Sequence, residues 1–207
     1  MQHQRIAATA ELLGQPSRAA MVLALMDGRS RTAKKLALDA GVTPQTASAH
    51  LKKLVAANLL HCDARGRTKE FRLRGANVAQ AVEALSEIGA GPVAPAAREL
   101  RFARCCYDHL AGQLGVRVTE RLLEAGDRIL AELGIEPATL PAGRRPLFRC
   151  CTDWTERRPH VAGTVGAALL RRYLEERWLT RVENSRKLVL TEHGKGMFAR
   201  VFGIENA

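Results

Sequence analysis

Apolar residues between positions 32 and 54 recur at the three- and four-residue spacing of two short amphipathic helices. Gly41 stands where a left-handed residue would end the first helix. Thr43 offers an N-cap hydroxyl, and Pro44 suits the first position of the next helix, where a missing N–H costs nothing. The expected buried residues are Ala33, Leu36 and Ala37, then Ala47, Leu51, Leu54 and Val55. The pattern predicts two helices joined by a tight turn, preceded by helices at 4–13 and from Pro16 onward.

The outward face of the second helix carries amides, hydroxyls and amines, and no carboxylate. Such a face suits base edges and phosphates. An ordinary solvated helix face is the alternative, and the elements that follow disfavour it. The residues expected to read bases are Gln45, Thr46, Ser48 and His50, with Lys52 and Lys53 on the phosphate backbone.

The segment 61–73 reads as two short strands around a basic tip at 64–67, where Gly66 permits a positive φ. Basic hairpin tips are usually solvated turns. A basic hairpin directly after a recognition helix is instead typical of a wing that grips the backbone beside the groove. We expect Arg65, Arg67 and Lys69 to contact phosphates.

In order and spacing, residues 12–88 resemble the winged-helix domain of the ArsR/SmtB family of bacterial transcriptional repressors. The matching positions are Leu13, Gly14, Pro16 and Arg18, then Leu36, Gly41 and Val42, then Thr46, Ser48, His50, Leu51 and Leu54, and finally Arg65, Gly66, Arg67, Phe71 and Leu73. The resemblance implies a homodimer in which the first helix and a helix at 78–88 pack against their mates. Two recognition helices would then lie about 34 Å apart on a near-palindromic operator.

The family's inducer sites are not repeated here. The helix before the recognition helix reads KKLALD at 34–39 and has no thiol, and the dimer helix offers only Glu83 and Glu87. A signal would therefore have to be received elsewhere in the chain.

Composition fits a polyanion-binding protein with room for two domains. The 207 residues include 32 Lys and Arg against 21 Asp and Glu, a formal net charge of +11. We expect a winged helix-turn-helix DNA-binding and dimerisation domain at 1–88, a linker at 89–97 and a sensor domain at 98–207. Without a long apolar run or an apolar N-terminal segment, the expected location is cytoplasmic, with no membrane association. Five cysteines, an odd number, then favour reduced thiols.

A sequence frame occurs twice in the second half of the chain. Arg-Cys-Cys-x-Asp begins at Arg104 and again at Arg149, and His-apolar-Ala-Gly-x-apolar-Gly begins at His109 and His160. Repetition of this frame indicates an internal duplication or two halves of one site. If the first copy is helical, Cys105 or Cys106 shares a face with His109.

The repeated residues are candidate ligands or redox thiols. The candidate sensor residues are Cys105, Cys106, His109, Cys150, Cys151 and His160, and the two aspartates of the frame, Asp108 and Asp153, are further candidate ligands. Such residues could bind Zn, Cu(I), Hg(II) or As(III), or act as a thiol switch. Buried cysteines around a pocket for another ligand are the main alternative, since the spacing is not CxxC…CxxC and free cysteine often serves as a small core residue.

The last 50 residues resemble the wing and closing helix of winged-helix regulators. A helix at 167–178, two strands between 180 and 190, and a helix begun by Thr191 are expected. The predicted fold is mainly α with small β-hairpins: a winged helix-turn-helix followed by a second, winged-helix-like domain.

The sequence predicts a sequence-specific DNA-binding transcriptional regulator. It would be a dimeric repressor released by a thiophilic metal or metalloid, by thiol oxidation or by a small molecule at the C-terminal domain. Catalysis lacks a supporting motif, so we expect no enzyme. The alternative is a ligand-binding protein or enzyme whose helix-turn-helix is a protein-interaction module.

Overall fold

A computed structural model describes residues 1–66, 68–88, 99–141, 145–183 and 185–205. Contacts divide the chain into two compact units, Met1–Val82 and Glu83–Ala207. The expected linker 89–97 lies outside the described residues. In the described ranges, no helix has the length and apolar content needed to cross a membrane.

The N-terminal unit contains four helices and a small sheet before the start of a fifth helix. The elements are α1 (Gln2–Leu13), α2 (Pro16–Ala24), β1 (Arg31–Thr32), α3 (Ala33–Asp39), α4 (Pro44–Ala56), β2 (Leu60–Arg65), β3 (Thr68–Leu73) and α5 (Ala76–Ile88). The antiparallel sheet has the order β1-β3-β2. This is the winged helix-turn-helix that the sequence predicts, with β1 as an added third strand.

The turn between α3 and α4 follows the predicted local chemistry. Gly41 adopts a φ of 62°, and Thr43 caps α4 by accepting a hydrogen bond from the Thr46 N–H at 3.2 Å. Ala47, Leu51 and Leu54 are buried on the inner face of α4. The α3–α4 pair is therefore held by a left-handed turn residue, an N-cap and an apolar stripe.

The C-terminal unit repeats a hairpin followed by a helix. Its elements after α5 are β4 (Arg104–Cys106), β5 (His109–Ala111), α6 (Gln113–Glu132), a 3₁₀ turn (Pro137–Thr139), β6 (Arg149–Thr152), β7 (Pro159–Ala162), α7 (Gly163–Glu175), β8 (Leu179–Arg181), β9 (Leu188–Leu190) and α8 (Glu192–Phe202). The two copies of the repeated sequence frame form β4–β5–α6 and β6–β7–α7. The expected wing-like hairpin and closing helix correspond to β8–β9 and α8.

The first copy of the repeated frame is a β-hairpin, so the shared helical face considered from the sequence does not form. Cys105, Cys106 and His109 lie on two antiparallel strands, with Cys106 paired to His109 across the hairpin. Tyr107 adopts a φ of 63° between them, which reverses the chain. Because alternate residues on a strand face opposite ways, adjacent cysteines are separated: Cys105 belongs to the apolar core, whereas Cys106 faces the second hairpin.

The core of this unit is packed around four aromatic side chains: Tyr173, Trp178, Phe198 and Phe202. Thr191 caps α8 by accepting from the Gly194 N–H at 2.8 Å, as predicted. This core fixes α7 and α8. The hairpin β6–β7 directly precedes α7 and is positioned by it.

Candidate nucleic-acid interface and candidate metal centre

Helix α4 exposes the polar face that the sequence predicts. Gln45, Thr46, Ser48, Lys52 and Lys53 are exposed, and His50 is half-buried. No acidic residue lies on this helix. The face can therefore approach phosphates without carboxylate repulsion.

Two hydroxyls on this face have partners within the helix. Ser48 donates its hydroxyl proton to the Pro44 carbonyl at 2.9 Å, and the Thr46 hydroxyl lies 2.9 Å from that of Thr43. A serine hydroxyl has one proton and two lone pairs. Ser48 is accordingly prepared to accept a hydrogen bond, such as one from a base amino group.

His50 is held in its neutral form. Partial burial lowers the pKa of its imidazole, and the nearby charges of Arg18 and Lys53 lower it further. Arg18 is fixed by hydrogen bonds from its guanidinium to the Leu12 and Glu11 carbonyls at 2.6 and 2.9 Å. A neutral imidazole offers one donor and one acceptor to a base edge.

The wing is the hairpin β2–β3, in which Arg65 pairs with Thr68 and Ala64 with Lys69. Lys69 is exposed. Arg67 and the side chain of Arg65 lie outside the described part of the chain. Lys69 is therefore the one predicted phosphate-binding residue of the wing whose side-chain exposure the described residues include.

Four of the six candidate sensor residues meet in the C-terminal unit. The potential ligand atoms of Cys106, His109, Cys151 and His160 all lie within 4.8 Å of one another, and all four residues are buried. Each hairpin supplies one cross-strand Cys–His pair. We call these four residues the Cys2His2 cluster. Two sulfurs and two imidazole nitrogens form a donor set that suits a thiophilic or borderline ion.

Cys105 and Cys150 lie apart from the cluster. The Cys105 thiol is buried and donates to the Tyr107 carbonyl at 3.2 Å. Cys150 is exposed on the opposite face of β6. The cysteine pairs predicted by the sequence thus supply one member each to the site.

A carboxylate lies beside each histidine. His109 Nδ1 is 3.3 Å from Asp108 Oδ1, and His160 Nδ1 is 3.4 Å from Asp153 Oδ2. Three ring nitrogens, His109 Nε2 and both nitrogens of His160, are buried and make no hydrogen bond within the described residues. Both rings thus have one nitrogen beside a carboxylate and a second nitrogen available to the cluster.

Both carboxylates are held in ionised form. Burial alone would raise the pKa of Asp108, but Arg145 and His109 hold it at about 2. Burial opposes ionisation of Asp153 as well, yet His160, Arg104 and hydrogen bonds from Thr155 and the Gly112 N–H keep its pKa well below the usual range. Asp108 lies within hydrogen-bond distance of His109 Nδ1, and Asp153 places its negative charge beside His160.

The two thiols have opposite preferences. The pKa of Cys151 is lowered because the Cys106 thiol, and then His109 and His160, lie against its sulfur. The pKa of Cys106 is raised by the adjacent Cys151 sulfur and by burial.

The repeated glycines allow the two halves to approach. A Cβ on Gly115 would lie 2.7 Å from the Leu110 carbonyl, and one on Gly166 would lie 2.7 Å from that of Val161 and 3.2 Å from His109 Cβ. Real Cβ contacts do not occur at 2.7 Å. These glycines let each helix pack on its own hairpin, beside the histidine of the other.

Comparison with known proteins identifies the family. A helix-turn-helix domain model matches residues 13–63. The HTH-type transcriptional regulator YdfF of Bacillus subtilis is 38% identical over 221 aligned residues, which cover 97% of this chain and 98% of YdfF. The chain belongs to the HTH-type transcriptional regulators.

Two solved structures similar to this regulator carry related descriptions. The transcriptional repressor BigR of Xylella fastidiosa is 24% identical with a TM-score of 0.40, over 44% of this chain and 91% of BigR. The homodimeric winged helix-turn-helix DNA-binding domain of Mb0332 from Mycobacterium bovis is 25% identical with a TM-score of 0.37, over 42% and 79% of the two chains.

The sequence prediction of a DNA-binding transcriptional regulator is confirmed by this family membership. The sequence singled out Asp108 and Asp153 as candidate ligands, and the structure places them beside the histidines of the regulator's cluster. It did not single out Arg104 and Arg145, which pair with these aspartates. A signal was present for Arg104, because it begins the first copy of the repeated frame. The sequence carried no signal for Arg145, because it lies outside the repeated frame and 37 residues from Asp108.

Proposed function

We propose that this regulator is a homodimeric winged-helix repressor of the ArsR type that leaves its operator when the C-terminal unit receives a signal. The observation that carries DNA recognition is the exposed, acid-free face of α4 followed directly by the β2–β3 hairpin. In this arrangement Gln45, Thr46, Ser48 and His50 read base edges, and the basic residues bind phosphates. The phosphate contacts are Lys52, Lys53, Arg65, Arg67 and Lys69.

The dimer is supported by apolar side chains exposed on the helices that the resemblance assigns to dimerisation. Ile6 on α1 is 64% exposed, and Leu85 and Ile88 on α5 are 51% and 84% exposed. Exposed apolar side chains on one helix face favour a partner surface. Twofold symmetry would present two copies of α4 to successive turns of a near-palindromic operator.

The signal is proposed to act at the C-terminal unit because that unit contains the Cys2His2 cluster. A thiophilic metal or metalloid, oxidation of the thiols, or a small molecule are the signal classes that the donor chemistry allows. The ArsR/SmtB family, which residues 12–88 resemble, has its thiols on the helix that corresponds to α3. Residues 34–39 of α3 contain no cysteine.

The test is binding of the purified full-length regulator to labelled DNA from its own promoter region at near-physiological salt. We expect a specific complex that contains two protomers, measured by anisotropy and by native mass spectrometry. Binding should change when Zn(II), As(III) or an oxidant is added. Equal affinity for promoter and random DNA would contradict the proposed function.

A further inference from the structure

The Cys2His2 cluster has the properties of a closed ion site. We propose that Cys106, His109, Cys151 and His160 bind one divalent ion of the zinc class in four-coordinate geometry. Its regulatory consequence rests on the proposed function, whereas the ion site itself does not. The geometry, the donor atoms and the surrounding carboxylates each support it.

The spacing of the donor atoms is close to what such an ion needs. A tetrahedral Zn²⁺ with bonds of about 2.3 Å to sulfur and about 2.0 Å to nitrogen requires donor atoms roughly 3.3–3.8 Å apart. The four donor atoms already lie within 4.8 Å of one another. The longest separation would have to shorten by about 1–1.5 Å to reach tetrahedral geometry.

The two imidazoles favour an ion over a redox pair of cysteines. His109 Nε2 and His160 Nε2 are buried without a hydrogen-bond partner in the described part of the chain, and such groups are rare in native proteins. An ion bound by both nitrogens satisfies them. A disulfide between Cys106 and Cys151 would leave both unsatisfied.

The carboxylates complete the arrangement found around metal-bound histidines. In such sites the ring nitrogen away from the metal hydrogen-bonds to a carboxylate, which fixes the tautomer and the ring orientation. Asp108 and Asp153 lie 3.3 and 3.4 Å from the Nδ1 atoms. Arg145 in turn contacts Asp108, and Arg104 contacts Asp153 at 2.9 Å.

The donor set and burial define the class of ion and its role. Thiolate and imidazole ligands select zinc-class ions over Mg²⁺ and Ca²⁺, which require oxygen ligands. Four protein ligands leave no open position for a reacting molecule, as in structural sites. The ion would join β4–β5 to β6–β7, the two halves of the internal repeat.

A chain of buried charges leads from the cluster to α5. Arg104 lies between Asp153 and Glu83 of α5, at 2.9 and 3.9 Å, and Arg186 contacts the same Glu83 at 2.7 Å. An ion that fixes His160 also fixes Asp153 and, through Arg104, the helix assigned to the dimer. This is the route by which ion binding would alter operator affinity.

The experiment measures ion binding by the full-length protein under reducing conditions. We expect one zinc per chain by elemental analysis and, after exchange with Co²⁺, the visible absorption of tetrahedral cobalt with a thiolate-to-metal charge-transfer band. Cys151→Ser should remove most of this signal. Its neighbour Cys150→Ser is the matched control and should keep it, because Cys150 faces solvent.

A second variant keeps the test decisive if Cys151→Ser fails to fold. Asp108→Asn leaves all four ligands in place and should weaken Co²⁺ binding about 10- to 100-fold through the orientation of His109. Wild-type protein without stoichiometric ion, a cobalt spectrum without thiolate bands, or equal losses in the Cys150 and Cys151 variants would overturn the site.

Operator affinity with and without the ion separates the two proposals. A bound ion with unchanged operator affinity would overturn the coupling through Arg104 and Glu83 but leave the ion site intact. Specific operator binding by a protein that takes up no ion would overturn the site and leave the proposed function intact.

Discussion

At the scale of single residues, hydrogen-bond partners determine what the recognition helix can read. Ser48 gives its proton to the Pro44 carbonyl, so its hydroxyl faces outward as an acceptor. The lowered pKa of His50 keeps its ring neutral at physiological pH. The sequence predicted which side chains are exposed, but it could not predict these states because they depend on backbone carbonyls and on Arg18.

Gly166 provides a residue-scale prediction for the C-terminal unit. Gly166→Ala should destabilise the unit by roughly 1–3 kcal/mol, since overpacking a tight site forces backbone shifts. The measurement is urea unfolding followed by tryptophan fluorescence, which reports on this unit because Trp154 and Trp178 both lie in it.

Gly196 is the matched control on α8, where an added Cβ would meet nothing within 4 Å. Gly196→Ala should be neutral or stabilise the protein by up to about 1 kcal/mol through helix propensity. Equal destabilisation by the two changes would contradict the close approach of α7 to its hairpin.

At the scale of elements, the repeated hairpin and helix show where sequence reasoning succeeded and failed. The repeated residues were recognised, and they do form matching units. The sequence left the structure of the first copy open because three-residue spacing between Cys106 and His109 suits both a helical face and a cross-strand pair. Tyr107, a non-glycine residue with positive φ, gave no sequence signal for the turn that decides between them.

The recognition helix gives an element-scale prediction about electrostatics. Lys52→Ala and Lys53→Ala should each weaken binding to all DNA sequences and reduce the slope of log affinity against log salt by about 1, if each removes one phosphate contact. Anisotropy titrations between low and near-physiological salt give the slope.

Lys195→Ala removes the same charge from α8, where Lys195 pairs with Glu192 at 2.7 Å. It serves as the control and should leave the slope unchanged. Equal slopes for all three variants and the wild type would contradict the assignment of α4 to the DNA backbone.

At the scale of the whole molecule, α5 is the helix through which the C-terminal unit is proposed to act. Its Glu83 is paired with arginines that lie 21 and 103 residues away in sequence. Such long-range charge pairs have no local pattern, so the sequence did not predict the link of α5 to the cluster. It predicted only the apolar stripe of α5, formed by Val78, Val82, Leu85 and Ile88 at helical spacing. Burial of Val78 and Val82 confirms the inner part of that stripe.

The exposed part of the α5 stripe predicts the dimer interface. Leu85→Asp should shift the protein to monomer and weaken operator binding, because a carboxylate would be buried in the interface. Light scattering during size-exclusion chromatography measures the mass. Leu123→Asp is the control: Leu123 on α6 is 78% exposed, and its replacement should leave the mass unchanged. A dimer that tolerates Leu85→Asp would place the interface elsewhere.

The central claim, that α4 reads DNA sequence, is tested most directly by selecting binding sites from a random DNA pool with the wild type and with Gln45→Ala. The wild type should enrich a near-palindromic site with half-sites about one helical turn apart. Gln45→Ala should lose its preference at one position in each half-site, at a cost of about 1–3 kcal/mol in discrimination. A wild-type protein that enriches no sequence, or a variant with unchanged preference, would contradict the claim.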